Sequence, residues 1–240
     1  MLSLFGQPRI CTVHTESGEE LPASSSRYLV SQADVKELPR KYLLNDICVI
    51  DFSESYPISS PPVDLGTPKA YLPPEMLLEF DQIDAAFAAA LDESADSDVV
   101  EDPIQPQEQF PVGIACDRWA LGCTLVEIRQ QQALFYMMDR AEDILKSTYD
   151  LLGPFPDHWM HRWASRAQYF NEHGQRRSRN PLQTLDRKLA HVLDFNSLKT
   201  LSLPKEEQGL FKDLLLKLFE YEPEKRASTG EVRTHEWFRL

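Results

Sequence analysis

The chain has 240 residues, enough for one domain with an ample core, and its 42% hydrophobic and 10% aromatic content is that of a globular protein. A net charge of −13 argues against non-specific nucleic-acid binding and suits basic partners. Cys11, Cys48, Cys116 and Cys123 follow neither a metal-ligand nor a disulfide spacing. No apolar run approaches a membrane span and no basic stretch precedes an apolar one at the start, so a soluble protein of the cytoplasm or nucleus is expected.

In chain order, residues 1–26 read as a lead-in segment. Leu2, Leu4 and Phe5 suit a short helical turn that Gly6-Gln7-Pro8 breaks, and E-S-G-E-E-L-P-A-S-S-S has turn composition. Arg27–Val30 is a β-prone run, and Ala33–Leu44 reads as one or two helical turns limited by Pro39. Ile47–Ile50 reads as a short buried strand delivering Asp51-Phe52 into a turn. Ser55–Pro74 is too rich in Pro and Ser for a regular element and predicts a long ordered loop of the kind that carries function. A short helix is expected at Glu75–Phe80, and Asp81–Leu91 can be helical. Residues 92–111 form an acidic, mobile insertion by composition: no Lys or Arg occurs from Ala70 to Asp117 while carboxylates accumulate. A solvated loop and an attractor of Arg-rich segments both fit that stretch.

Ile114–Arg129 is apolar on nearly every side when read at 3.6 residues per turn, which places it in the middle of the domain. Asp117 interrupts that surface at the helix start. There a carboxylate is favoured by unpaired N–H groups and the helix dipole, and it can also accept N–H bonds from a neighbouring loop. Asp139–Leu152 is amphipathic and ends at Gly153-Pro154. Asp157–Tyr169, Leu182–Leu193 and Glu206–Glu220 predict three more helices, with a basic surface loop, R-R-S-R, at Arg176–Arg179. Ser228 or Thr229 caps a last helix over Gly230–Phe238. The fold class is mainly α, with a short β-hairpin region near the start.

The order of several short motifs says more than any one of them. D-F-S follows an apolar run; G-T-P and P-P-E follow after a loop; then come D-R-W-A-L-G-C, E-P-E-K-R-A-S-T and a terminal H-E-W-F. This series resembles the C-terminal lobe of the eukaryotic protein kinase fold, and is most similar to the SR-protein kinase (SRPK-like) branch, especially in fungi. The resemblance spans essentially the whole chain, with residues 27–240 as the kinase domain. It implies ATP and Mg²⁺ as cofactors and phosphoryl transfer to serine in a basic, Arg/Ser-rich protein substrate, with no direct nucleic-acid or membrane partner. Asp51 matches the metal-binding aspartate that holds Mg²⁺ against the nucleotide phosphates, and Phe52 the aromatic beside it that packs between the lobes. Thr67 matches the substrate-side hydroxyl that bonds the catalytic aspartate. Glu75 and Arg226 match a buried ion pair, a structural fork and not a catalytic one. Asp117 matches the carboxylate that holds the catalytic-loop backbone.

Two departures bear on activity. Ser53 stands where the metal-binding motif normally has Gly, so its backbone must avoid the left-handed region. The 240 residues also contain no glycine-rich phosphate loop, no V-A-I-K-type lysine, no partnering helix glutamate and no H-R-D-x-x-x-x-N segment. The resemblance therefore implies a C-terminal lobe without the N-terminal lobe or the catalytic base, inactive by itself. The alternative is a non-catalytic, kinase-derived module that binds Arg/Ser-rich segments or a kinase partner.

Overall fold

Helices dominate the described residues. The computed structural model describes residues 9–15, 22–31, 41, 46, 48–62, 65–91, 112–190, 192–194 and 199–240. The chain divides into two compact units, residues 1–52 and 53–240.

In the first unit, β1 (Ile10–Thr12) pairs antiparallel with β2 (Tyr28–Val30), in the register Ile10↔Val30, Cys11↔Leu29 and Thr12↔Tyr28. β2 falls on the expected β-prone run. The buried strand expected at Ile47–Ile50 does not form over its described part: Cys48, Val49 and Ile50 are irregular, and Val49 and Ile50 are 71% and 77% exposed. An apolar run becomes a buried strand only when a neighbour takes its N–H and C=O groups and a second layer covers its side chains. The two-stranded ladder supplies neither. The turn expected at Leu2–Phe5 and, Lys41 apart, the helix expected over Ala33–Leu44 lie outside the described residues, as does the acidic segment 92–111.

In the second unit, the Pro-rich loop ends in a 3-10 turn at Lys69–Tyr71 and leads into α1 (Pro74–Leu91). Pro74 is at home in the first position, where its missing N–H costs nothing. The two expected helical pieces are therefore one. Met76, Leu77 and Leu78 are buried near its start, while Ile83 and Phe87 are exposed further along. α2 (Ile114–Gln130) begins and ends within a residue of expectation, but it is not buried all round. Cys116, Trp119, Gly122, Cys123, Val126 and Gln130 form a stripe at three- and four-residue spacing, whereas Ile114 and Ile128 are exposed. It thus buries one stripe, while its outer face mixes polar residues such as Asp117 and Thr124 with Ile114 and Ile128.

α3 (Ala141–Leu152) packs along α1 and stops at Gly153, whose φ of +103° few side chains tolerate. The helix expected over Asp157–Tyr169 is broken into α4 (Asp157–Met160) and α5 (Arg166–Tyr169). The break has a cause: the buried Asp81 carboxylate accepts the Ser165 N–H (3.0 Å), and Ser165 Oγ accepts from Trp163 Nε1 (2.9 Å). Side-chain bonds to local backbone compete with the helical ladder. Likewise the expected Leu182–Leu193 helix is only α6 (Leu185–Ala190), and the chain then forms an antiparallel pair, β3 (Val192–Asp194) with β4 (Lys199–Leu201). α7 (Lys205–Leu218) buries Phe211, Leu214, Leu215 and Leu218 against α2 and α6. α8 (Thr229–Arg233) follows a 3-10 turn at Pro223–Lys225 and starts in a full capping box between Ser228 and Glu231. It does not continue to Phe238, because His235 Nδ1 accepts the Trp237 N–H (3.2 Å) and opens a separate 3-10 turn, Glu236–Arg239.

Candidate functional site

The expected ion pair is present and buried. Arg226 Nη2 donates to Glu75 Oε2 at 2.6 Å, with side-chain exposures of 0% and 3%. The pair is not the two-pronged fork expected. The remaining guanidinium donors go to backbone carbonyls instead: Nη1 to Ala115 (2.9 Å), Nε to Glu220 (2.8 Å) and Nη2 also to Tyr221 (3.1 Å). The guanidinium also lies 5.2 Å from the Trp119 ring centre. One arginine thus ties the start of α1, the start of α2 and the turn after α7 together. Burial pushes the Glu75 carboxyl above its usual value, and Arg226 pulls against that shift.

That tie stands behind a small cleft of about 60 Å³, which brings Thr67 of the loop and Asp117 of α2 together. Glu54, Tyr56, Gly66, Tyr71 and Cys116 also line it. Thr67 is half-buried and Asp117 is exposed, and neither side chain has a hydrogen-bond partner among the described residues. Burial pushes the Tyr56 phenol and the Cys116 thiol up, and the Asp117 carboxylate adds to both shifts. Tyr71 donates to Glu127, which, with burial, pushes its phenol up to about 12. A Cβ on Gly66 would sit 2.4 Å from Glu54 Oε2, so glycine lets that carboxylate lie against the loop. Glu54, Tyr56, Tyr71 and Cys116 were not singled out from the sequence. Tyr56 ends the D-F-S-E-S-Y run and Cys116 adjoins Asp117, so proximity to the motifs was the available signal.

Asp51 and Phe52 belong to the first unit. Asp51 is exposed with φ +64°, a left-handed conformation that aspartate tolerates better than most residues. Phe52, expected to be packed, is 66% exposed. The departure at Ser53 carries no backbone strain, because its φ is outside the left-handed region. Asp51 offers one hard oxygen ligand, and no group of three or more metal-ligating side chains occurs among the described residues. These residues do not by themselves fit a closed Mg²⁺–ATP site. A larger cavity, about 460 Å³, lies between α7 and the last two turns, and holds Asp213, Lys217 and His235 but none of the expected site residues. No helix among the described residues is long and apolar enough to cross a membrane.

No protein-family model matches the chain. Curated relatives do. The dual specificity protein kinase lkh1 of Schizosaccharomyces pombe is 34% identical over 128 residues, 51% of this chain and 18% of the relative. The serine/threonine-protein kinase AFC3 of Arabidopsis thaliana is 29% identical over 131 residues, 52% of this chain and 31% of the relative. The serine/threonine-protein kinase SRPK of Physarum polycephalum is 29% identical over 126 residues, 50% of this chain and 28% of the relative. Over about half its length the chain is similar to serine/threonine and dual specificity protein kinases. Its helical architecture is that of a kinase C-terminal lobe, and it covers less than a third of the length of these relatives.

Proposed function

We propose that this chain forms the substrate-side part of a Ser/Thr protein kinase that acts on serine in basic, Arg/Ser-rich protein segments in the cytoplasm or nucleus. The observation that carries the reading is the cleft in which Thr67, Asp117 and Glu54 meet, braced by the buried Glu75–Arg226 tie. A hydroxyl beside two carboxylates is suited to holding a cationic segment, and the overall charge of −13 favours its approach. ATP and Mg²⁺ are the family's cofactors; Asp51 is the residue here that would touch the metal. Phosphoryl transfer is mostly positioning and electrostatics. The glycine-rich loop, its lysine partner and the catalytic-loop aspartate are not among residues 1–240. Those residues alone therefore bind substrate without phosphorylating it.

The test uses residues 1–240, an Arg-Ser repeat peptide and Mg-ATP. The expected result is no phosphate on the peptide, but binding that is independent of nucleotide, weakens with salt and falls in Asp117→Asn and Glu54→Gln. Phosphorylation of the peptide overturns the inactivity. Absence of binding at low salt overturns the substrate-side reading and with it the alternative of a non-catalytic binding module.

A further inference from the structure

The R-R-S-R loop is a feature that the cleft does not use. It places three arginines in four residues around Ser178, in a chain whose net charge is −13. Its base is fixed. Phe170 and Arg176 form an antiparallel bridge, and the turn between them is closed by Asn171 and by Gly174 at φ +72°. Arg176 Nη2 contacts both oxygens of the buried Asp150 carboxylate at 3.2 Å, and Nη1 donates to the Asn180 carbonyl, also at 3.2 Å. Arg177 donates from Nε to the carbonyls of Ala167 and Phe170.

Past that anchor the loop opens. Ser178, Arg179 and Asn180 are exposed, and from Ser178 to Thr184 the backbone joins no helix or ladder among the described residues. Ser178 Oγ accepts the Asn180 N–H at 3.2 Å, which leaves its own hydroxyl proton free. An enzyme that modifies a side chain needs an exposed, extended acceptor, and one that prefers basic sequences needs cations at fixed offsets from it. Both conditions are met at this one serine.

We propose that Ser178 is a phosphorylation site, modified by an arginine-directed Ser/Thr kinase acting in trans with Mg-ATP. In the step, Ser178 Oγ bonds to the γ-phosphorus and the bond from that phosphorus to the β,γ-bridging oxygen breaks. ADP leaves, and the hydroxyl proton passes to the modifying kinase's base. The product carries about −1.5 to −2 charge beside Arg177 and Arg179, which can pair with it. The site does not depend on this chain's own activity, since the kinase is supplied separately.

The experiment incubates residues 1–240 with a purified kinase that requires arginine on both sides of its serine, plus Mg-ATP, and locates phosphate by peptide mass spectrometry. Phosphate is expected on Ser178, with incorporation at that peptide abolished in Ser178→Ala. Arg179→Ala, which alters an exposed side chain, is expected to slow incorporation about tenfold, the loss of one charge-assisted contact. An unmodified Ser178 in protein whose other serines are labelled, or no incorporation at all, overturns the proposal. So does an Arg179→Ala rate equal to that of the parent chain.

Discussion

The Glu75–Arg226 tie and the Thr67–Asp117 cleft are neighbours in the fold, and both rest on residues picked out by the same run of motifs. They are built in opposite ways. At the tie, each group is sealed from water and every nitrogen of the guanidinium has a partner within the chain. At the cleft, the hydroxyl of Thr67 and the carboxylate of Asp117 face solvent and bond to nothing among the described residues. The first arrangement spends its polar groups on holding helices together; the second keeps them available to another molecule. Stability and recognition are thus carried by different residues a short distance apart.

Substitutions can break or sharpen that contrast. Arg226→Ala, which strands a buried carboxylate, is expected to lower the unfolding free energy by about 3–5 kcal/mol in a denaturant titration. A loss within about 0.5 kcal/mol, the level of an ordinary surface change, would erase the distinction between tie and cleft. Adding Glu75→Leu should recover most of that loss, because a neutral apolar pair leaves no charge buried alone. Next in size is Gly122→Ala on α2. Its Cβ would fall 2.5 Å from the Phe219 ring, which itself packs on Trp119 (ring centres 4.8 Å apart). Overpacking of this kind should cost about 1–3 kcal/mol, read from the same titration. Ser228→Ala removes the cap of α8 and should cost about 1 kcal/mol.

Smaller still is an effect of acid. Hydrogen bonds from Lys217 and His235 hold the exposed Asp213 carboxyl below its ordinary range. Its folded pKa is thus below the unfolded one, so its contribution is complete above the ordinary carboxylate pKa and is lost as pH falls through the folded value. After screening by solvent the effect is a fraction of about 1 kcal/mol. Stability measured as a function of pH should fall less steeply in acid for Asp213→Asn than for the parent chain. The least change in stability is expected for Asp117→Asn, within about 0.5 kcal/mol, even as peptide binding falls. A large loss of stability there would make Asp117 part of the tie instead.

How much of this was legible in the sequence follows the same division. The ends of α2 and the cap at Ser228 were readable because each depends on local pattern, and the Glu75–Arg226 partnership was implied by the resemblance to the kinase fold. The two broken helices were not. The interruption between Trp159 and Tyr169 depends on Asp81, 84 positions from Ser165, accepting one backbone N–H. No window of local periodicity contains that information. The β3–β4 pair was hidden for a related reason, since Val192-Leu193 continues an apolar pattern that suits the end of a helix as well as a strand. At Ile47–Ile50 the pattern misleads in the other direction: the run is apolar, yet Val49 and Ile50 are exposed. In the cleft, Thr67 and Asp117 were found by motif, whereas Glu54, Tyr56 and Tyr71 enter through loop geometry that spacing cannot encode.

Glu75 and Arg226 are 151 positions apart. During synthesis at about 5–20 residues per second, a ribosome carries the finished α1 sequence for on the order of ten seconds before it adds the arginine. Through that interval the carboxylate has no counter-charge, and seating it in an apolar interior would be costly. Met76, Leu77 and Leu78 beside it are buried in the folded chain. The nascent protein therefore makes this tie late. Chaperones that cover short apolar segments have their opening before then.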